Sequence, residues 1–536
     1  MNTAERIAAS GGWILFALTA LWAIFFVPMN MDEALPYHIL ACFDHPFAHL
    51  HTLTEGCDGR YDLTVFSGFR IAGGYHYVGA LSSILYAPFY FLFHAPQAQY
   101  WFGLLFLIAF ALLLSRLTPK PRLSLPVILA FFPLIFQFIH DTGPVKFSLL
   151  AFPLGALLFR RIASTRPPLQ TAYAIVLAAL VLLAAEDKIF FIYLLPSFAL
   201  FGLAFLDAPD WPSLFAQLKP ARGSLALAAT IILFGLFALL LARMGDYSYI
   251  GHLAIVRGQL EKQEGLATIL ITYLLLIFTW PAYAHRVFDM EKIRAWPVVL
   301  SILLAAGFIA ACTALAWKRR IFRPLRPRAE LLILSIFAAL LIFLGPSKVW
   351  AGHHFIFLWV PALVLLGDIL PALEPKDLLT VTLSFFAINI FSIFTLAQTP
   401  VALNVATEQN AIFDYFADEA RASQTLLNYS SWGGYFIEAL YGPQNLLVTY
   451  KDPLDDASAQ KLLAISRSTG RRIYNVCIDP LQDTVFEGLE LTLAGKSYAK
   501  ICSKQFLEDR FGGKLTFEEI PMPGLSIWHV FAATPR

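Results

Sequence analysis

Charge is what this chain of 536 residues has least of: Asp, Glu, Lys and Arg make up 14% of it, against 58% hydrophobic residues. No single water-soluble core holds so large an apolar share, which excludes an ordinary soluble domain. A dominant sign of charge is also missing. The 39 basic and 37 acidic residues leave a net charge of +2, so composition gives no footprint for nucleic acid. Internal repeats and low-complexity segments are absent as well. The first apolar run is preceded by Arg6 and followed by no small-residue cleavage site, so it is expected to be a retained span, not a removed leader.

What the chain has is long apolar runs. They fall at 12–29, 101–115, 123–139, 144–159 (with Lys146), 169–185, 189–206, 223–242, 295–317, 331–347, 355–373 (with Asp368) and 378–397. A helical span takes roughly 20 mostly apolar residues, so the expected fold class is a polytopic α-helical membrane protein of about 11–13 spans. Stretches 77–93 and 266–284 are harder to place. The loops choose between the counts. Arg116 to Arg122, Arg160 to Arg166 and Lys318 to Arg328 are purely basic, whereas residues 30–76 carry six acids and two arginines. With the N-terminus inside, eleven crossings put all three basic loops in the cytoplasm, as the positive-inside rule requires. Stretches 77–93 and 266–284 are then re-entrant or surface-lying. The expected units are a membrane domain over 1–397, with outer loops at 30–100 and 243–294, and an extracytoplasmic domain over 398–536.

The tail has shorter runs. Thr425–Tyr429, Asn445–Tyr450 and Arg472–Ile478 alternate with helix-like stretches at 432–441, 456–468 and 497–510, and two further strands close the chain. That alternation predicts a small parallel-sheet α/β domain. Of five cysteines, Cys42 and Cys57 share the first outer loop, Cys477 and Cys502 share the tail, and Cys312 lies alone in a span. Paired cysteines on an oxidising side fit two disulfides; chance placement is the alternative.

The acidic pair Asp32–Glu33, just beyond the first span, is the expected chemical centre. Acids beside lipid are costly unless solvated and used. A carboxylate there can act as general base on an acceptor hydroxyl or amine; the plainer reading is a solvated helix end. Adjacent helical residues point ~100° apart, so one of the two faces the reaction. His38, His45, His49 and His51 follow in the same loop without the spacing of a compact metal motif. His140–Asp141 ends the third crossing and could position an acceptor or a metal, or simply cap a helix. Glu186–Lys188 forms a whole turn between spans. Lys188, Lys348, His353, His354 and Arg70 are candidate cations for a donor phosphate, against the alternative that lysines at span ends only snorkel. Gly433–Gly434 is a weak phosphate-loop signal beside an ordinary tight turn.

Taken in order, several short motifs form a pattern: the Asp32–Glu33 pair, Gly79 through Ala87-Pro88-Phe89-Tyr90, Asp141, Lys188, then Pro346-Ser347-Lys348 before Phe355 to Pro361. It resembles the polytopic GT-C glycosyltransferases, most closely the protein O-mannosyltransferase and aminoarabinose-transferase branch. The resemblance covers roughly residues 12–397. It implies an enzyme of the bacterial inner membrane that takes a sugar from a polyprenyl phosphate and transfers it on the outer face, with inversion. The acceptor is a cell-envelope glycan, lipid or protein, and the first-loop acid is catalytic. A trailing outer domain fits some bacterial members, through Trp432-Gly433-Gly434-Tyr435. No particular cofactor is singled out, and a divalent metal is left open. Two departures stand out: Gly79–Ala80 replaces the family's double proline, and no Asp-x-Asp motif occurs in the first two outer loops. Other classes remain in play: a lipid or glycan transporter, which needs charge near the midplane and matching halves, and a non-catalytic envelope-assembly protein.

Overall fold

The structure, a computed structural model, describes residues 1–29, 31–34, 37, 40–41, 63–64, 70–71, 79, 81–140, 145–188, 190–206, 208–244, 295–321, 326–340, 356–397, 400–430, 435–450, 454–478, 503–525 and 528–536. Each of the eleven apolar runs forms helix. In chain order they give α1 (Thr3–Phe26), α4 (Pro96–Ser115), the pair α5 (Pro121–Leu129) and α6 (Phe132–His140), α7 (Lys146–Ser164), α8 (Leu169–Asp187) and α9 (Phe191–Leu203). After the short α10 (Trp211–Leu218) come α11 (Arg222–Met244), α12 (Ala295–Lys318), α13 (Arg326–Ala339), α14 (Ile356–Ile369) and α15 (Pro375–Ala397). The segment between α1 and α4 contributes α2 (Met31–Ala34), a hairpin of β1 (Leu63–Thr64) and β2 (Arg70–Ile71), and α3 (Leu81–Phe93).

Among the described residues six helices are long and apolar enough to cross a membrane, or seven if the bent pair α5–α6 is one span. By length and composition they mark a helical membrane protein, whose outward faces carry large apolar side chains such as Phe26, Phe234 and Trp317. Of the other runs, α9 and α14 give helices of 13 and 14 residues, whereas α12 runs for 24. Within 77–93 the described residues form the 13-residue α3; 266–284 lies outside the described residues.

The first helix begins well before its apolar run. Asn2 caps it: the Asn2 side chain accepts from Glu5 N at 2.9 Å while Glu5 accepts from Asn2 N at 3.0 Å. This reciprocal cap satisfies N–H groups that a helix start leaves open. Glu5 also takes Lys120 Nζ at 2.6 Å, which ties the N-terminus to the first basic loop. At the same end the Arg328 guanidinium grips Asp368 through two bonds of 2.7 Å and donates to Leu117 O at 2.6 Å. Arg319 pairs there with Glu374 and, at 2.8 Å, with Asp377. Phe205 lies under Arg328 at 4.7 Å, and the adjoining Leu206 shares a cavity with Arg160 and Arg161. All three basic loops therefore occupy one end of the bundle.

The bend of 63° between α5 and α6 comes from proline. Pro133 in the first turn of α6 cannot continue the ladder of α5. One N–H freed by the break, that of Phe132, is taken by Asn389 Oδ1 of α15 at 2.8 Å. Satisfying the broken backbone in this way is what makes the kink tolerable in an apolar bundle. It turns α6 inward, and every residue from Phe132 to His140 is buried. Gly103 admits it: a Cβ there would stand 2.0 Å from Phe138 O, so α4 packs on α6 only without a side chain.

The tail opens with α16 (Pro400–Phe416) and α17 (Glu419–Ser423). Its sheet is built of β3 (Thr425–Tyr429), β4 (Leu447–Tyr450), β5 (Arg472–Ile478), β6 (Leu515–Glu519) and β7 (Trp528–Pro535), in the order β4-β3-β5-β7-β6. Helices α18 (Tyr435–Tyr441), α19 (Asp456–Thr469) and α20 (Lys504–Arg510) lie between strands. Strands β4, β3 and β5 are parallel; β7 and β6 return antiparallel. The expectation of a parallel sheet thus holds for three strands only. The closing pair is linked by a short turn, and a short link allows only the antiparallel return.

Candidate functional site

The end of the bundle opposite the basic loops holds a second group of ionisable side chains. Chain entry to it is set by α1, which stops at Phe26; α2 then carries Asp32 and Glu33. The Glu33 side chain is fully buried, and its Oε1 lies 2.9 Å from His140 Nδ1. His140, delivered by the inward turn of α6, sits 3.0 Å from Ala23 O through Nε2. A carbonyl only accepts, so Nε2 carries a proton and donates it to Ala23 O. Nδ1 then either carries the second proton of an imidazolium facing a carboxylate, or accepts the proton of a neutral Glu33. The pair has zero net charge in both cases, which is how two ionisable groups remain buried together. Tyr100 and Phe136 hold the imidazole from either side, each with its ring centre 4.9 Å away.

Two further cations share this end. Lys146, the first residue of α7, is 1% exposed; its Nζ donates to the Tyr37 hydroxyl at 3.4 Å and lies 5.3 Å from the Phe102 ring centre. Tyr37 packs on Tyr86 at 4.5 Å. Ser148, two residues on in α7, donates to Ala184 O of α8 at 3.3 Å, which sets Lys146 and the turn after α8 at one level.

That turn, which carries Lys188, is built around α3. Asp187 Oδ1 accepts from Ser82 N at 3.1 Å and from Ser82 Oγ at 2.6 Å, and Glu186 Oε2 accepts from Leu81 N at 3.3 Å. These are the open N–H groups of the α3 start, where carboxylates are favoured. Gly79 N donates to Asp187 O at 2.8 Å, and a Cβ on Gly79 would come within 1.9 Å of Glu186 O. Proline would remove the donor and collide with the turn.

The tail closes the site. Its Tyr441, on α18, is buried against the membrane helices: the hydroxyl pairs with Tyr86 Oη at 2.7 Å and donates to Gln99 Oε1 at 2.9 Å. Gln99 in turn donates to Glu33 O at 2.5 Å. One chain of bonds thus runs from the tail to the backbone of the acidic pair. Asn410 of α16 adds a bond to Met29 O at 3.2 Å. One turn earlier on α18, Glu438 accepts from the Tyr429 hydroxyl of β3. Burial pushes the Glu438 carboxyl up to about 8, against a smaller lowering by Tyr429.

Of the candidates read from the sequence, the structure brings Glu33 and His140 into contact. Lys188 is fully buried, like Lys146, with Nζ 5.3 Å from the Phe190 ring centre. Asp32 and Arg70 are described through their backbone alone, and Arg70 pairs with Thr64 in the hairpin. Asp141, Lys348, His353, His354, Cys42, Cys57, Cys502 and the loop histidines lie outside the described residues. Cys477 is buried and engaged, and Cys312 is a free, buried thiol. No three His, Cys, Asp or Glu side chains converge as metal ligands among the described residues. Sequence reasoning missed Lys146 and Tyr441 as site residues. A lysine opening an apolar run was a usable signal for the first; nothing local marks the second. No family model matches the chain, and no curated protein is significantly similar to it.

Proposed function

We propose that the chain is a membrane glycosyltransferase that moves a sugar from a polyprenyl phosphate to a cell-envelope acceptor, at the Glu33 end of the bundle. The observation that carries the reading is the buried Glu33–His140 pair, which anchors a two-acid loop at the mouth of the first span beside the buried Lys146. Carboxylates kept at the edge of an apolar bundle are costly features, and their persistence points to use. The GT-C resemblance supplies the reaction class.

Roles divide as follows. Glu33 is sequestered by His140, so it positions the loop; Asp32 is left as the general base. Asp32 takes the proton from the acceptor hydroxyl, the acceptor oxygen bonds to the anomeric carbon, and the carbon–oxygen bond to phosphate breaks with its electron pair leaving on the phosphate. The products are an inverted glycoside and polyprenyl phosphate. Cations at that level, Lys348, His353 and His354 from the sequence and Lys146 from the structure, stabilise the charge building on the leaving group. The basic loops then face the cytoplasm, the tail faces the periplasm with Cys477 paired to Cys502, and the eleven apolar runs alternate across the inner membrane.

The test is transfer of a labelled sugar from polyprenyl phosphate in membranes holding the wild type or Asp32→Asn. Transfer by the wild type, and its loss in a variant that inserts normally, is the expected result. Full transfer by Asp32→Asn ends the assignment. Uptake or translocation without covalent transfer assigns a transporter instead.

A further inference from the structure

A cavity of about 550 Å³ opens at the basic end, remote from the Glu33 site, between the last turn of α7, the end of α9 and the short α10. Its polar lining is Arg160, Arg161, Ser164 and Gln217, and its apolar walls include Leu157 and Leu206. Both arginines are exposed. They sit where α7 ends, so the negative end of that helix favours cations at this level.

Beside the cavity, α10 has the build of an interface helix. Asp210 caps it, accepting from Ser213 N at 2.8 Å, and only Leu214 of its residues is buried. Phe215 is 64% exposed, while Trp211 anchors the helix by donating from Nε1 to Glu330 Oε2 at 2.9 Å. A tryptophan held by its polar edge, beside an exposed phenylalanine, is the arrangement found at headgroup depth. Lys219 and Arg222 follow, and Arg166 stands in the loop after α7; the acids of these segments are Asp207, Asp210 and the Glu330 that holds Trp211. With Arg160 and Arg161 the cations outnumber these acids.

We infer that this cavity binds the phosphodiester headgroup of an anionic phospholipid of the membrane face on which the basic loops lie. Arg160 and Arg161 both line the cavity, and a guanidinium group offers a phosphate forked donors, a geometry lysine does not reproduce. The apolar walls and the exposed Phe215 favour a lipid over a free ion, because they meet the glycerol and the start of the acyl chains. The inference concerns a site at the opposite end from the acidic pair and does not depend on the reaction proposed there.

The full-length protein in mixed micelles is titrated with phosphatidylglycerol and with phosphatidylcholine, and retained lipid is counted by native mass spectrometry. One phosphatidylglycerol per chain is expected to be held at least tenfold more tightly than phosphatidylcholine. Arg160→Gln with Arg161→Gln should erase that preference. If the double variant does not elute as a folded particle, Ala163→Phe, which fills the cavity and keeps both arginines, should erase it equally. Unchanged preference in whichever of these variants folds overturns the inference. So does displacement of the lipid by millimolar inorganic phosphate, which would make the cavity a free-anion site.

Discussion

Raising the pH should loosen the tail domain through one residue, Glu438. Its carboxyl is buried beneath the sheet, its Oε1 takes the Tyr429 hydroxyl, and its Oε2 has no partner among the described residues. The usual glutamate value of 4.5 is pushed up to about 8 in the folded domain, chiefly by burial. Between these values the folded chain holds a proton that the unfolded chain has lost. Stability is therefore full below pH ~4.5 and falls as pH rises towards 8. At ~1.36 kcal/mol per pH unit the loss reaches on the order of 5 kcal/mol by pH 9. For a domain of this size that lowers the melting point by more than about 10 °C. The effect reaches the site, because the same helix carries Tyr441 into the membrane domain. Pulse proteolysis of the full-length protein at rising temperature, with a C-terminal tag reporting on the tail, should show cleavage moving to lower temperature from pH 5 to pH 9. Glu438→Gln cannot ionise and should flatten the profile. Identical pH profiles for the two proteins would overturn this account of the tail.

Other outcomes follow from the same geometry. His140→Ala leaves Glu33 buried without its partner and should cost roughly 3–5 kcal/mol, while Glu33→Gln added to it should recover part of that, both read by thermal unfolding in detergent. Gly103→Val drives a side chain into Phe138 O and should displace α6, with lower yield of monodisperse protein in size-exclusion chromatography. Gly79→Pro removes the bond to Asp187 O and should raise protease sensitivity of the first outer loop, whereas Ala80→Pro alone is the milder change. Tyr441→Phe loses two hydrogen bonds but keeps the ring, for a cost of about 1–3 kcal/mol. It should lower the proposed sugar transfer with the tail still folded; unaltered transfer would show that the tail does not support the site.

The helical membrane class, the position of the apolar runs, the grouping of basic loops and the strand-and-helix alternation of the tail were all legible in the amino-acid order. These follow from local patterns, since apolar length, loop charge and turn residues act over a few neighbours. Glu33 and His140 could also be singled out separately in this way. Their pairing across more than a hundred residues arises only in the packed bundle, because it depends on the angle at Pro133 and on the clearance at Gly103. Lys146 turned from a charge inside an apolar run into part of the site only when Tyr37 and Phe102 closed over it. The reach of Tyr441 to Gln99 and the Glu33 backbone was equally out of view. A tyrosine at the end of a short amphipathic helix reads as ordinary core until the face it meets is known, and that face belongs to another domain.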